Sequence, residues 1–178
     1  MLLLSQNQIT LAQILANYPN PKLNKDRLDL AKLETLDFFE ITYLSNSKKI
    51  KGIVALPKNT TIKLPIIIYN RGGSKDYGKI DAARLVGDIA NFALGGFVVI
   101  ASQYSGNGGS EGKDERGGAD LDDVLVLREV AKELEYTDTE NVNMVGVSRG
   151  GMMAYLANTR VGWIKKNRHT MRRSRYSR

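Results

Sequence analysis

The chain has 178 residues, enough for one domain with a sizeable core, and its apolar fraction of 42% is that of an ordinary globular protein. It has no cysteine, which excludes a disulfide framework and a thiolate metal site. The net charge of +7 does not mark a nucleic-acid-binding body: residues 158–178 hold eight basic and no acidic side chains, and removing those eight from the 26 leaves 18 against 19 acidic ones.

Met1-Leu2-Leu3-Leu4 is apolar, but no basic residue precedes it and Ser5-Gln6-Asn7-Gln8 follows, so it lacks the regions of a secretory signal. No run reaches transmembrane length, and a cytoplasmic location with no membrane partner is the expectation. Ile9 to Ala16 has the spacing of a short amphipathic helix, ending before the linker Tyr18-Pro19-Asn20-Pro21. Residues 1–37 are therefore expected to precede a domain of residues 38–157. Phe38 to Leu44 alternates, and Lys49 to Leu56 follows across Ser45-Asn46-Ser47-Lys48, which predicts a β-hairpin closed by Pro57.

Leu64 to Tyr69, Gly96 to Ala101 and Val142 to Val147 are continuous apolar runs, the pattern of parallel strands buried on both faces. Between them, Ile80 to Leu94 and Asp120 to Leu134 carry helical periodicity. A hairpin followed by alternating strand and helix predicts an α/β fold built on a mostly parallel sheet with right-handed crossovers.

Asn141 to Gly151 reads Asn-Val-Asn-Met-Val-Gly-Val-Ser-Arg-Gly-Gly, a buried strand running into Gly-x-Ser-x-Gly and then an apolar helix. That is the pattern of a nucleophile elbow. A serine hydroxyl is a weak nucleophile unless a sharp strand-to-helix turn holds it exposed beside a base and backbone donors, and Gly146 and Gly150 remove the side chains that would collide there. Ser148 is the candidate nucleophile. Its oxyanion would be held by the N–H of Arg149 and by one from Arg71, Gly72 or Gly73 in the loop after the strand ending at Tyr69. Gly106 to Gly112 lacks both the dinucleotide spacing and a Gly-Lys-Ser/Thr ending, so it is not read as a phosphate loop, and no cofactor or metal is implied.

Three loops in this order, Tyr69-Asn70-Arg71-Gly72-Gly73-Ser74, Tyr104 to Asp114 and Gly146-Val147-Ser148-Arg149-Gly150-Gly151, resemble the catalytic domain of the prolyl oligopeptidase family, of the α/β-hydrolase fold. The resemblance covers roughly residues 38–157. It implies a serine hydrolase that cleaves peptide or related acyl bonds through an acyl-enzyme on Ser148. In that fold a triad acid and then a histidine follow the serine. Here the last acidic residue is Glu140, and the only histidine, His169, stands 21 residues after Ser148 among cations that disfavour its protonation.

The tail after Ala157 is open to three readings: a phosphate-binding arm, a solvated basic segment, or a shifted reading frame beginning near Asn158 in a domain cut short. The last is preferred, with later strands missing, the strand at Val142–Val147 left as an apolar edge prone to self-association, and the chain catalytically incomplete. Other functions on this scaffold are an esterase or thioesterase sharing Ser148, and a binding module that needs no base. A nucleic-acid binder would rest on the tail alone.

Overall fold

Phe39, Ile41 and Tyr43 alternate onto one face of a strand, and the hairpin forms as that pattern predicts. The computed structural model describes residues 1–20, 22–75 and 77–170. Strands β2 (Leu36–Ser45) and β3 (Lys48–Pro57) pair antiparallel from Leu36↔Pro57 to Ser45↔Lys48. Asn46 and Ser47, at φ of 47° and 63°, make the two-residue turn whose left-handed dihedrals match the twist of the flanking strands.

The N-terminal segment is not an extension outside the domain. β1 (Leu3–Ile9) pairs antiparallel with β2, and only then does Thr10, in a capping box with Gln13, start helix α1 (Leu11–Asn17). Its polar middle, Ser5 to Gln8, is compatible with an edge strand because the ladder there is made by backbone groups, which carry no hydropathy signal. A one-turn helix α2 (Leu30–Leu33), capped by Asp29, brings the chain back to β2 and buries Leu33.

β4 (Leu64–Asn70), β5 (Val98–Ser102) and β6 (Thr137–Val147) are the parallel centre of a seven-stranded sheet of order β1-β2-β3-β5-β4-β6-β7. Both sheet faces are covered, which is why these strands read as continuous apolar runs. On one face Ile66, Ile68, Ile100 and Met144 pack against Val124, Leu127, Val130 and Met153 from α5 (Asp122–Leu125), α6 (Leu127–Ala131) and α7 (Arg149–Arg160). On the other, Ile67, Tyr69, Val99 and Ala101 meet Leu85, Ile89 and Ala93. That second layer is the helix predicted over residues 80–94. It runs as α3 (Ala82–Arg84), a π-helical turn at Leu85–Ile89 and α4 (Ala90–Leu94).

Beyond the serine the structure departs from the expected boundary at Ala157. α7 continues to Arg160, and β7 (Ile164–Thr170) pairs parallel with β6 from Val142↔Ile164 to Val147↔Thr170. The expectation of β6 as a bare edge is corrected: its backbone ladder accepts a polar strand because pairing uses main-chain groups, while Trp163 and Ile164 pack against the core and Arg128 stacks 5.7 Å from the Trp163 ring. Of the basic cluster, Arg172, Arg173, Arg175 and Arg178 lie outside the described residues. No helix among the described residues is long and apolar enough to cross a membrane.

Candidate active site

The loops after β4, β5 and β6 leave the same end of the sheet, because parallel strands present their carboxyl ends on one side. Ser148 stands alone between β6 and α7 with φ of 54° and ψ of −117°, a conformation that L-residues avoid at a cost of about 1–3 kcal/mol. The chain reverses there within one residue, and the side chain is exposed. The two flanking glycines are steric requirements: a Cβ at Gly146 would lie 2.1 Å from the Gly150 carbonyl oxygen, and one at Gly150 would lie 1.9 Å from that of Asn70. The spacing Gly-x-Ser-x-Gly thus records how closely the helix start crosses the ends of β6 and β4.

Gly151 N–H donates to the Ser148 carbonyl at 2.9 Å and opens the helix, whose first N–H groups have no carbonyl one turn back to bond. Arg149 contributes the first of these. The loop after β4 passes directly beside the elbow, since a Cβ at Gly72 would lie 2.7 Å from the Val147 oxygen and 3.3 Å from Ser148 Cβ. Ser148, Arg149, Gly72 and Gly73 are therefore brought together at one place, as the sequence motifs anticipate.

What the sequence reasoning missed is the buried charge cluster beneath them. The Arg149 guanidinium donates from Nη1 to the Gly73 carbonyl at 3.0 Å and to Asp114 Oδ2 at 3.0 Å, and its Nη2 meets Asp114 Oδ1 at 2.8 Å and also Asp120 Oδ2. Asp114 in turn accepts from the N–H of Lys75 at 2.7 Å and of Arg116 at 3.1 Å, while Asp120 accepts from the N–H groups of Arg116 and Gly117. Burial alone would raise the Asp114 carboxyl, but the Arg149 guanidinium and the two N–H donors outweigh it and hold it below its usual range.

Arg71 is fully buried. It turns its guanidinium back onto the Gln103 carbonyl at 3.1 and 2.8 Å and onto the carbonyls of Gly72 and Lys75. Tyr104 packs beside both cations, its ring centroid 4.8 Å from Arg71 Cζ and 5.1 Å from that of Arg149, and its hydroxyl donates to the Arg71 carbonyl at 3.1 Å. Burial pushes the Tyr104 phenol well up, against the pull of the two guanidiniums. No sequence signal pointed to this cluster, because nothing in linear spacing links positions 35 and 29 residues apart.

The Gly106–Gly112 loop has a structural task. Glu111 N–H and Lys49 N–H exchange bonds with the Lys49 carbonyl and the Glu111 carboxylate, and Lys51 N–H donates to Ser110 Oγ, so the loop continues the pairing along the edge of β3. Of His169 only the backbone is described, standing opposite Gly146 in β7.

Residues 87–162 match the prolyl oligopeptidase family. Over 124 residues, 70% of this chain and 46% of the other, the sequence is 32% identical to the Bacillus subtilis protein "Uncharacterized peptidase YtmA". Over 151 residues, 80% of this chain and 20% of the other, it is 31% identical to "Probable dipeptidyl-peptidase 5" of Aspergillus terreus. The chain thus spans less than half the length of these relatives. The solved esterase LipA of Xanthomonas oryzae, a rice cell wall degrading enzyme, superposes with a TM-score of 0.59 at 20% identity, covering 89% of this chain and 45% of that one. At that identity the likeness is one of fold.

Proposed function

From a chain with the α/β-hydrolase fold whose residues 87–162 belong to the prolyl oligopeptidase family, we propose a serine hydrolase in which Ser148 attacks the carbonyl of a peptide or related acyl bond. The observation that carries this reading is the geometry of Ser148: an exposed side chain on a strained residue, with the free N–H groups of a helix start on one side and the Gly72-Gly73 loop against it on the other. Ser148 Oγ forms the bond to the acyl carbon as its proton passes to a base. The carbonyl oxygen, now an oxyanion, accepts from the N–H of Arg149 and from one in Arg71-Gly72-Gly73. The leaving amine or alcohol departs with a proton, and water then releases the acyl group from Ser148.

The base is not among the described side chains, and no carboxylate follows Glu140 in the 178 residues to orient one. An added base should therefore substitute. A fluorophosphonate probe, which forms an Oγ–P bond with loss of fluoride, should label this chain no faster than Ser148→Ala when used alone. In the presence of imidazole the unmutated chain should be labelled and the variant should not. Labelling that survives Ser148→Ala, with or without imidazole, would remove Ser148 as the nucleophile. Rapid labelling without imidazole would show that the chain already supplies a base.

A further inference from the structure

The Arg149 side chain is spent in a way that the role of its N–H does not explain. Its side chain is 8% exposed, those of Asp114 and Asp120 are 8% and 0%, and its Nε is buried with no hydrogen-bond partner among the described residues. Burying an ion pair costs desolvation that its own attraction repays only when the geometry is good, so such a cluster is weak evidence of stabilisation and better evidence of a fixed arrangement. Its charges also cancel. Asp114 and Asp120 both pair with Arg149, and the second guanidinium, Arg71, lies across the Tyr104 ring, so two positive and two negative charges gathered here offer the reacting centre little net field. What it does offer is connection: one planar group binds the Gly73 carbonyl in the loop after β4 and two carboxylates in the loop after β5, while its own backbone adjoins Ser148.

We infer that the Arg149 guanidinium is a positioning residue, which holds the Gly72-Gly73 segment at the distance from Ser148 needed for its N–H to receive the oxyanion. Asp114 completes the clamp from the other side, accepting the Lys75 N–H two residues after Gly73 while it binds Arg149 bidentately. A planar fork can serve three acceptors at once; a lysine ammonium is a point donor on a flexible stem and cannot hold the same geometry. Gly73, at φ of 79°, adopts a backbone conformation open to glycine and leaves its carbonyl free for this bond. The proposal rests on the hydrolase reading for its purpose but not for its existence.

The test uses the whole chain in two variants. Arg149→Lys keeps the charge and the pairing with the aspartates. The triple variant Arg149→Met/Asp114→Asn/Asp120→Asn removes all three charges together and so leaves no carboxylate buried unpaired. Hydrogen exchange should be about tenfold faster at residues 72–75 in both, with the protection of β4 and β5 unchanged. Imidazole-supported labelling of Ser148 should fall on the order of 10²-fold, the scale of one lost oxyanion donor, while Arg149→Lys keeps the melting temperature of the unmutated protein. Unchanged exchange at residues 72–75 in Arg149→Lys would overturn the clamp. Faster exchange with undiminished labelling would show that the segment does not serve the oxyanion. If the unmutated chain shows no Ser148-dependent labelling, the hydrolase reading fails by itself and the exchange measurement still decides the clamp.

Discussion

At Gly150 the site and the fold make the same demand on one residue, because the space a Cβ would occupy already holds the Asn70 oxygen at 1.9 Å and the Arg71 oxygen at 2.9 Å. Gly150→Ala must move the helix start away from the end of β4, and it should lower unfolding free energy by about 3 kcal/mol in urea titrations, the upper range for overpacking a tight interior. Gly87 is the contrasting case. It lies within a helical segment with nothing within 4 Å of the place an alanine methyl would take, so Gly87→Ala should raise stability by about 0.5–1 kcal/mol through the unfolded chain's lost freedom. Equal effects from the two substitutions would mean that the close crossing at the elbow is relaxed in solution. The motif made Ser148, Arg149, Gly72 and Gly73 legible because a steric rule links spacing to geometry. Asp114, Asp120 and Tyr104 were not legible as partners of Arg149, since ion pairs between loops obey no spacing rule.

Among the elements, those with a strong hydropathy signal were read correctly and those built from backbone pairing were not. The β2–β3 hairpin and the runs that became β4, β5 and β6 bury side chains on defined faces, and their periodicity follows from that. β1 and β7 lie at the two ends of the sheet and carry polar stretches, Ser5 to Gln8 and Lys165-Lys166, which hydropathy does not distinguish from loop. The loop after β5 has a testable acid response. Asp114 is held below its usual range, so its stabilising contribution is complete above the unfolded carboxylate value of about 4 and is lost as pH falls through the depressed folded value. Asp123, whose carboxyl burial raises although the Ser105 N–H donates to it at 2.7 Å, acts in the opposite sense: just above pH ~4 it binds a proton in the folded state and gains stability on acidification. Thermal melts between pH 6 and 3 should therefore show Asp114→Asn weakening the fall in melting temperature at the acid end. Asp123→Asn should make the decline begin at higher pH. The reverse pattern would mean that the Arg149–Asp114 pair is open to solvent.

For the molecule as a whole, the decisive surface is the free side of β7. The sheet ends there among the described residues, so main-chain donors and acceptors of Ile164–Thr170 are available for another strand. Edge strands invite pairing between chains, and charged side chains along them oppose it. Lys165, Lys166 and Arg168 are exposed on this strand, and two copies meeting edge to edge would bring six cations together. Self-association through β7 is thus expected to be suppressed at low ionic strength and to grow as salt shortens the range of the repulsion from about 30 Å at 0.01 M to about 3 Å at 1 M. Sedimentation velocity across that range should show the weight-average mass rising with salt. Lys166→Val, placed opposite Asn143 in the ladder, should move the onset to lower salt by removing one charge from each edge and adding a strand-favouring side chain. A mass that falls with salt would point instead to association through opposite charges, for which the acidic residues of the neutral body, rather than the β7 edge, would be the partner.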